Sequence, residues 1–322
     1  MFNDLRPIDV FAAARNVRGV VQRTELRRSR GLSERVGRDV FLKLESEQVT
    51  GSFKLRGAYN AIAMLDDTVR ARGVVASSAG NHGLGVAFAA RQFGIPATIF
   101  IPASAPEVKR RGIQALGATV DATAPSYDDA MTLAKAFARE RGATFINPCL
   151  GDTLVAGQGT VALEIIEELP ELAQIVVPVG GAGLLAGVAS LLRHLAPHVR
   201  ISGVQSVNTA AMARALQAAQ VVPIPNVPTL ADGLAGAIDD FALDVGRHAL
   251  DDMATVSEEA IARAIAWLAH EEELTVEGSG AVGVAALLEG ALPDLRSPMA
   301  VVLTGRNIDP DRHAGVLREG RS

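Results

Sequence analysis

A lysine beside a strand-to-helix turn is the residue of this 322-residue chain best placed for covalent chemistry. Lys54 lies in residues 50–58, where small residues precede it and an apolar helical pattern follows. Partial burial there would disfavour the charged ammonium and leave a nucleophilic amine. A solvated lysine at a helix start is the simpler interpretation, since most lysines are surface residues. Lys54 is therefore a candidate nucleophile whose role depends on the other segments.

Two glycine-rich segments, each after an apolar run, have the composition of anion-binding turns. Residues 77–85 (SSAGNHGLG) combine hydroxyl, amide and helix-start N–H groups, which together can hold a carboxylate. Residues 180–184 (GGAGL) can surround a phosphate with N–H groups that open a helix. Each segment also has a simpler interpretation as a turn that helix packing requires.

The second of these turns also fits a dinucleotide fingerprint. Residues 181–186 match the pattern G-x-G-x-x-A, which expects an acidic residue about 20 positions later to hold the ribose hydroxyls. The next predicted strand ends instead at Gln205, which supplies no carboxylate. The sequence therefore favours a phosphate site of another kind, with a nicotinamide-dependent oxidoreductase as the alternative.

The elements that must position these segments alternate along the chain. Short, continuously apolar runs recur between helical patterns, which is typical of a parallel sheet covered by helices on both faces. Ser126 and Ser257 precede acidic helix starts and are predicted N-caps. The predicted strands are residues 40–42, 73–76, 97–101, 143–146, 175–179, 201–204 and 299–303.

Composition and charge narrow the class of protein. The chain has 31 Lys and Arg against 36 Asp and Glu, a net charge of -5, which argues against a nucleic-acid surface. The single cysteine, Cys149, predicts a reducing, cytoplasmic setting, and no signal peptide is apparent in the first 30 residues. Residues 175–192 are uncharged, but Pro178 and the glycine cluster divide them into strand, turn and helix, so no membrane span is predicted.

Taken in order, the segments resemble the fold-type II pyridoxal-phosphate enzymes of the threonine/serine dehydratase and serine racemase family. The resemblance implies a two-domain α/β fold, tryptophan synthase beta-like, with each domain a largely parallel sheet flanked by helices. The large domain would comprise residues 1–72 and 148–322, the small domain 73–147, and the assembly would be a homodimer. The matching motifs are residues 52–58 (SFKLRGA), 78–82 (SAGNH), 156–160 (AGQGT), 180–184 (GGAGL), 231–233 (ADG) and 304–307 (TGRN).

The resemblance implies how the cofactor, pyridoxal 5'-phosphate, would be held. Lys54 would bind it covalently, Phe53 would pack against its ring, and Asn81 would contact the ring hydroxyl. Thr304 would lie beside the pyridine nitrogen, where a neutral hydroxyl makes the ring a weaker electron sink than a carboxylate would. Alanine replaces a usual glycine in the phosphate turn, which is tolerable if its backbone angles are ordinary. The phosphate would lie against Gly180, Gly181, Ala182, Gly183 and Leu184.

The resemblance also implies the reaction. The freed amine of Lys54 would act as general base in a β-elimination that converts a β-hydroxy amino acid, such as L-threonine or L-serine, to a 2-oxo acid and ammonia. Family racemases carry a serine where this chain has Ala79, and a methyl group cannot donate a proton, so elimination is favoured over serine racemase-like activity. The substrate carboxylate would be held by Ser78, Ala79, Gly80, Asn81 and His82.

Four positions depart from the family pattern or extend it. Cys149, in the segment NPCLGD that replaces His-Pro-Phe-Asp, is predicted to face the pocket as a small, inert filler. Arg306 replaces a glycine and would bind an extra substrate carboxylate or amide, or face solvent. Glu277 would lie near the cofactor, or cap the following helix. Gln205 stands where the racemases have an acid that binds a divalent cation, so no metal site is expected.

These departures leave several small-molecule substrates open. Threonine, serine, 3-hydroxyaspartate and hydroxylated diaminobutyrate derivatives all carry the required β-hydroxyl group. The closing motif TGRN resembles that of the hydroxyectoine-utilisation dehydratases. Outside catalysis, a small-molecule-binding protein that kept this fold and lost its chemistry is the remaining alternative.

Overall fold

Two β-sheets organise the computed structural model, which describes residues 6–225 and 227–319. The strands are β1 (Leu26–Ser29), β2 (Val40–Lys43), β3 (Val74–Ser77), β4 (Ala97–Pro102), β5 (Thr119–Ala124), β6 (Thr144–Phe145), β7 (Gln174–Pro178), β8 (Arg200–Ser206), β9 (Asp252–Val256) and β10 (Met299–Val302). The helices are α1 (Pro7–Asn16), α2 (Arg30–Val36), α3 (Lys54–Ala63), α4 (Asp67–Arg70), α5 (Asn81–Phe93), α6 (Glu107–Ala115), α7 (Tyr127–Arg141), α8 (Asp152–Glu168), α9 (Gly183–Leu195), α10 (Ala211–Ala218), α11 (Asp240–Ala249), α12 (Glu258–Glu271), α13 (Gly278–Leu288) and α14 (Pro310–Glu319).

The larger sheet has six strands in the order β1-β2-β10-β7-β8-β9, and the smaller has four in the order β5-β4-β3-β6. Every pairing is parallel except that of β1 with β2. The prediction of a largely parallel α/β fold is therefore confirmed. The smaller sheet uses only residues from the proposed small domain, 73–147, and the larger sheet uses only residues outside it.

Helices cover both faces of the larger sheet, which explains its uninterrupted apolar strands. All five residues of β7 are buried. Ile175 and Val177 point to the core shared with α8 and α9, and Val176 points to the core shared with α12 and α13. Because successive side chains of a strand alternate between faces, a sheet covered on both sides needs apolar residues at every position.

Each of the seven predicted apolar runs overlaps a strand, and three further strands, β1, β5 and β9, were not predicted. All three lie at the edge of a sheet. An edge strand faces solvent on one side and tolerates polar residues, as in the sequence TVDATA of β5, so its apolar signal is weak.

The predicted helix signals are confirmed. The Ser126 hydroxyl accepts a hydrogen bond from the Asp129 N–H at the start of α7, and the Ser257 hydroxyl accepts one from the Ala260 N–H at the start of α12. The uncharged stretch 175–192 is a strand, a turn and a helix. Among the described residues, none of the helices has the length and apolar character that crossing a bilayer requires.

Candidate active site

Lys54 is the first residue of α3, and its amine faces a backbone carbonyl. The Phe53 N–H donates to the Thr304 carbonyl oxygen at 3.1 Å, which ties the start of α3 to the end of β10. The half-buried Lys54 Nζ donates to the carbonyl oxygen of Pro148 at 2.8 Å and lies 5.2 Å from the centroid of the Phe53 ring. The amine is thus held near the carboxyl end of β10.

The turn between β7 and α9, residues 180–184, presents backbone N–H groups that have no acceptor among the described residues. We call it the phosphate turn. In the described part of the chain, no acceptor receives the N–H groups of residues 180–184, although the preceding Val179 N–H bonds to Val204. These groups open the 13-residue helix α9, whose dipole adds positive potential at this end. Free N–H groups at a helix start are suited to a phosphate.

The sequence predicted that Ala182 would be tolerated in this turn if its backbone angles were ordinary. They are not ordinary. Its φ is +63°, in the left-handed region that favours glycine. Its N–H is nevertheless available, so the substitution keeps the donor and adds strain.

The Lys54 amine and the phosphate turn lie close together, because the amine contacts Pro148 and the turn contacts the next residue, Cys149. Cys149 follows Pro148, whose carbonyl holds the Lys54 amine. A Cβ built on Gly181 would lie 2.6 Å from the Cys149 sulfur, and one on Gly183 would lie 2.9 Å from the Cys149 carbonyl oxygen. The half-buried Cys149 therefore packs on the phosphate turn, and only glycine fits opposite it.

A second helix start lies on the other side of the amine. The Gly80 N–H donates to Ser78 Oγ at 3.2 Å, while the N–H groups of Ala79, Asn81 and His82 have no acceptor among the described residues. A Cβ on Gly85 of α5 would lie 3.3 Å from the Lys54 carbonyl carbon, which places α5 directly against the start of α3. This turn is suited to a carboxylate next to the amine.

The His82 side chain points away from this anion site. It is buried, and its Nε2 donates to the Ile146 carbonyl oxygen at 2.9 Å, so this nitrogen carries the proton. Burial, reinforced by the charge of Lys54, lowers the pKa of His82 to about 3. His82 can therefore offer a carboxylate its backbone N–H but no imidazolium charge.

Asn81 connects the smaller sheet to the larger one. Its Nδ2 donates to Glu277 Oε1 at 2.6 Å, and its Oδ1 accepts from Asn307 Nδ2 at 2.6 Å. Asn307 Nδ2 also donates to the Thr50 carbonyl at 2.9 Å. Both ends of the Asn81 amide are thereby oriented by residues that follow β10 or precede α13.

Glu277 contacts Asn81 and does not cap α13, because its side chain makes no capping hydrogen bond. The carboxyl group is buried. Burial, and then the negative charge of Asp232, raise its pKa to about 7, while the Asn81 amide opposes the shift. Glu277 is thus a carboxyl group poised to gain or lose a proton near neutral pH.

The closing motif 304–307 lies over the segment that precedes Lys54. Gly305 pairs with Ser52, and the Arg306 N–H donates to the Gly51 carbonyl at 2.9 Å. Thr304 is buried. The Arg306 guanidinium is engaged by Glu47 at 2.7 Å, with both side chains about 40% exposed. The arginine therefore lies at the rim of the site in an ion pair.

Sequence reasoning missed the groups that orient the site. The Pro148 carbonyl gives no side-chain signal, because any residue supplies a backbone carbonyl. Asn307 lies inside the TGRN motif and could have been selected by its amide. Lys109 of α6 lies 3.5 Å from Asp232, an ion pair between residues far apart in the sequence, and only the fold brings them together.

The donor set fits pyridoxal phosphate. It combines an amine, a cradle of free N–H groups for a phosphate and an adjacent helix start for an amino-acid carboxylate. In residues 6–225 and 227–319, no group of three or more His, Cys, Asp and Glu side chains is arranged to hold a metal ion. Gln205 is buried, and its Oε1 accepts from the Ala213 N–H, so the turn after β7 has no carboxylate for a dinucleotide ribose.

This combination of fold and site defines a pyridoxal-phosphate-dependent enzyme. The family model described as pyridoxal-phosphate dependent enzyme matches residues 17–305, and the chain belongs to this family. The dinucleotide alternative is thereby set aside.

Individual relatives cover nearly the whole chain. An L-threonine ammonia-lyase from Thermotoga maritima is 42% identical over 97% of this chain and 78% of its own length. The solved structure of maize serine racemase superposes with a TM-score of 0.92 at 33% identity, covering 98% of this chain and 97% of the other. The processed form of threonine deaminase isoform 2 from Solanum lycopersicum superposes with a TM-score of 0.91 at 32% identity, covering 97% and 86%.

Proposed function

We propose that this chain catalyses the β-elimination of a β-hydroxy amino acid to a 2-oxo acid and ammonia. The observation that carries the proposal is the position of the Lys54 amine between two helix starts with free N–H groups, at α9 and at α5. One start is suited to the cofactor phosphate and the other to the substrate carboxylate. The ammonia-lyase and deaminase names of the relatives support the same reaction class.

Each residue has a definite task in this proposal. Bound pyridoxal phosphate withdraws electrons from the substrate Cα and makes its proton acidic. Lys54 would hold the cofactor and, with its amine free, would take the substrate Cα proton as general base. The N–H groups at the start of α5 hold the carboxylate so that the Cα–H bond faces Lys54. The β-hydroxyl leaves as water, and one water returns when the released enamine product hydrolyses to the 2-oxo acid and ammonia.

The residue opposite Lys54 supports elimination over racemisation. Racemisation requires a second acid or base on the other face of the substrate, and the turn offers a methyl group there, at Ala79. The neighbouring Ser78 hydroxyl accepts the Gly80 N–H and thus serves the turn itself. Protonation from the second face therefore has no side chain to supply it at this position.

The substrate class extends beyond threonine and serine in this proposal. Cys149, which packs on the phosphate turn, is smaller than the phenylalanine usual in threonine dehydratases, and a smaller side chain at this position would admit a larger or more polar substrate. A larger β-hydroxy amino acid, such as 3-hydroxyaspartate or a hydroxylated diaminobutyrate derived from hydroxyectoine, is included on this ground. We further propose a cytoplasmic homodimer, in agreement with the single cysteine and the family resemblance.

A screen for 2-oxo-acid release tests the activity. The full-length protein with pyridoxal phosphate is assayed against threonine, serine, 3-hydroxyaspartate and hydroxylated diaminobutyrate derivatives, with Lys54→Ala as the control. We expect release from at least one substrate in the parent and none in Lys54→Ala. Equal rates in parent and variant would refute the role of Lys54, and no release from any substrate would refute the reaction.

A chiral assay tests the one-sided proton transfer. We expect the parent to form no D-serine from L-serine, and Ala79→Ser to gain measurable D-serine, because a hydroxyl then faces the substrate from the second side. Efficient racemisation by the parent would show that another group delivers the second proton.

A further inference from the structure

The motif AGQGT, residues 156–160, lies in the middle of α8 and contributes no side chain to the site. All five of its residues are buried. Helix α8 packs against α3, which begins with Lys54, and against α9, which begins at the phosphate turn. Bound pyridoxal phosphate would be held at both of these helix starts, by Lys54 at one and through its phosphate at the other, so the distance between them limits how both ends of the cofactor are engaged.

On the α3 side, backbone touches backbone. A Cβ on Gly157 would lie 2.5 Å from the Arg56 carbonyl oxygen and 2.7 Å from Gly57 Cα, and a Cβ on Gly57 would lie 2.7 Å from the Leu154 carbonyl oxygen. None of these atoms belongs to a side chain that can rotate away. Gly57 is three residues after Lys54, about 4.5 Å along the helix axis, so the contact fixes the first turn of α3.

On the α9 side, a second glycine pair makes a similar contact. A Cβ on Gly159 would lie 2.8 Å from the Gly187 carbonyl oxygen, and one on Gly187 would lie 2.5 Å from the Gly159 nitrogen. Gly187 is four residues after Gly183, at about one helical turn from the start of α9. Both contact points therefore lie about one turn from the group that holds the cofactor.

Polar contacts within the motif fix α8 against α3. Gln158 Oε1 accepts the Gly57 N–H at 3.3 Å, and Thr160 Oγ1 accepts from Arg56 Nη1 at 3.1 Å. Arg56 also forms a two-bond contact with Glu164, one turn further along α8, at 2.7 and 2.8 Å. Sliding or rotation of α8 along α3 would break these buried bonds, which are costly to leave unpaired.

We infer that the AGQGT motif is a spacer that sets the distance between the Lys54 amine and the phosphate turn, and that Gly157 and Gly159 are positioning residues for the cofactor. The inference rests on the proposed roles of Lys54 and of residues 180–184. Added side-chain volume at either glycine must move α3 or α9 by several tenths of an ångström, because a Cβ cannot approach backbone atoms this closely.

The test compares two ligands of the full-length protein after its cofactor has been removed with hydroxylamine. Pyridoxal phosphate spans both helix starts, whereas pyridoxal lacks the phosphate and needs only the Lys54 end. In Gly157→Ala and Gly159→Ala we expect affinity for pyridoxal phosphate to fall roughly tenfold to 100-fold, the size expected when one hydrogen bond to the charged phosphate is lost, and affinity for pyridoxal to change less than about twofold. Absorbance titration measures both constants.

The control is Gly283→Ala in α13, where an added Cβ would meet Val301 Cγ1 at 2.8 Å in the core between α13 and the larger sheet. This variant adds the same methyl group to a packed helix away from α3 and α9, against side chains instead of backbone. The ratio of its two affinities should match that of the parent. An unchanged ratio in both spacer variants would overturn the inference. If Gly157→Ala does not fold, as judged by circular dichroism, Gly159→Ala decides alone. Because no substrate is present, a failure of the proposed elimination reaction would leave this result unaffected.

Discussion

At the residue scale, the turn between β7 and α9 keeps its free N–H groups despite one backbone conflict. The N–H of Ala182 is presented with its neighbours, but its φ of +63° places the methyl group close to its own carbonyl. The sequence shows that alanine replaces a usual glycine at this position, but it does not show the strain at its positive φ. The backbone angle of a turn residue depends on how the flanking strand and helix are placed. The chain therefore carries a small local cost in a functional turn.

Replacing Ala182 with glycine should relieve this strain. We expect Ala182→Gly to raise the free energy of unfolding by about 0.5–1 kcal/mol in urea denaturation, because glycine adopts this conformation without strain. Ala186→Gly, in the regular part of α9, should instead lower it by about 1 kcal/mol. A loss of stability in Ala182→Gly comparable to that in Ala186→Gly would contradict the argument.

For Glu277, the structure shows a hydrogen-bond partner and a pKa shift that the sequence could not predict. The motif position predicted proximity, and the structure supplies the partner, the Asn81 amide, and the direction of the pKa shift. Both depend on packing from distant segments, including that of Asp232. A residue-level pattern could not have shown them.

The raised pKa of Glu277 predicts a pH dependence of stability. Its carboxyl group binds a proton more tightly when folded, with a pKa of about 7 against an ordinary 4.5, so its contribution is most favourable below pH 4.5 and declines as the pH rises to 7. We expect Glu277→Gln to remove this decline, so that the variant gains up to about 3 kcal/mol over the parent between these limits. Denaturation curves at pH 4 to 8 measure the difference on cofactor-free protein.

The exposed Glu140 provides the control for this comparison. Glu140→Gln should follow the parent curve across the same range. A constant difference between Glu277→Gln and the parent at all pH values would show that the pKa of Glu277 is the same in the folded and unfolded protein, which would contradict the raised pKa.

At the element scale, a buried charge cluster joins β2, α3 and α8. Arg56, fully buried, forms hydrogen bonds with Glu45 at 2.7 and 2.8 Å and with Glu164 at 2.7 and 2.8 Å, and Lys43 Nζ lies 2.7 Å from Glu164. Burial lowers the pKa of Arg56, but the two carboxylates outweigh it and raise that pKa above its ordinary range. Two positive and two negative side chains balance, which makes the burial tolerable.

Removing the guanidinium should leave the carboxylates uncompensated. We expect Arg56→Met to lower the free energy of unfolding by about 3–5 kcal/mol. Arg23→Ala, which breaks ion pairs to Glu167 and Glu168 at a half-exposed side chain, should cost less than about 1 kcal/mol. Similar losses in the two variants, measured by urea denaturation, would contradict the assignment of the cluster as a buried structural unit.

Element prediction succeeded where a strand is covered on both faces and failed at the sheet edges. The apolar runs of β7 and β10 identify them directly, because every side chain is buried. β1 carries the sequence LRRS and β9 the sequence DMATV, and their strand character comes from pairing with β2 and β8. Such pairing is a tertiary effect that the local sequence does not encode.

At the scale of the whole molecule, the site lies where the two sheets meet. The segments that form the larger sheet contain Lys54, the proposed phosphate turn and Glu277. The segment that forms the smaller sheet contains Asn81 and the proposed carboxylate site. The order of motifs along the sequence was enough to predict the family and the fold class. The contacts across it, such as Asn81 with Asn307, became apparent only in three dimensions.

The proposed function depends above all on attachment of the cofactor to the amine of Lys54. Reduction of the purified protein with borohydride, followed by proteolysis and mass spectrometry, measures this attachment. We expect a phosphopyridoxyl group on the peptide containing Lys54 and its loss in Lys54→Ala. A label on another lysine, or no label at all, would contradict it.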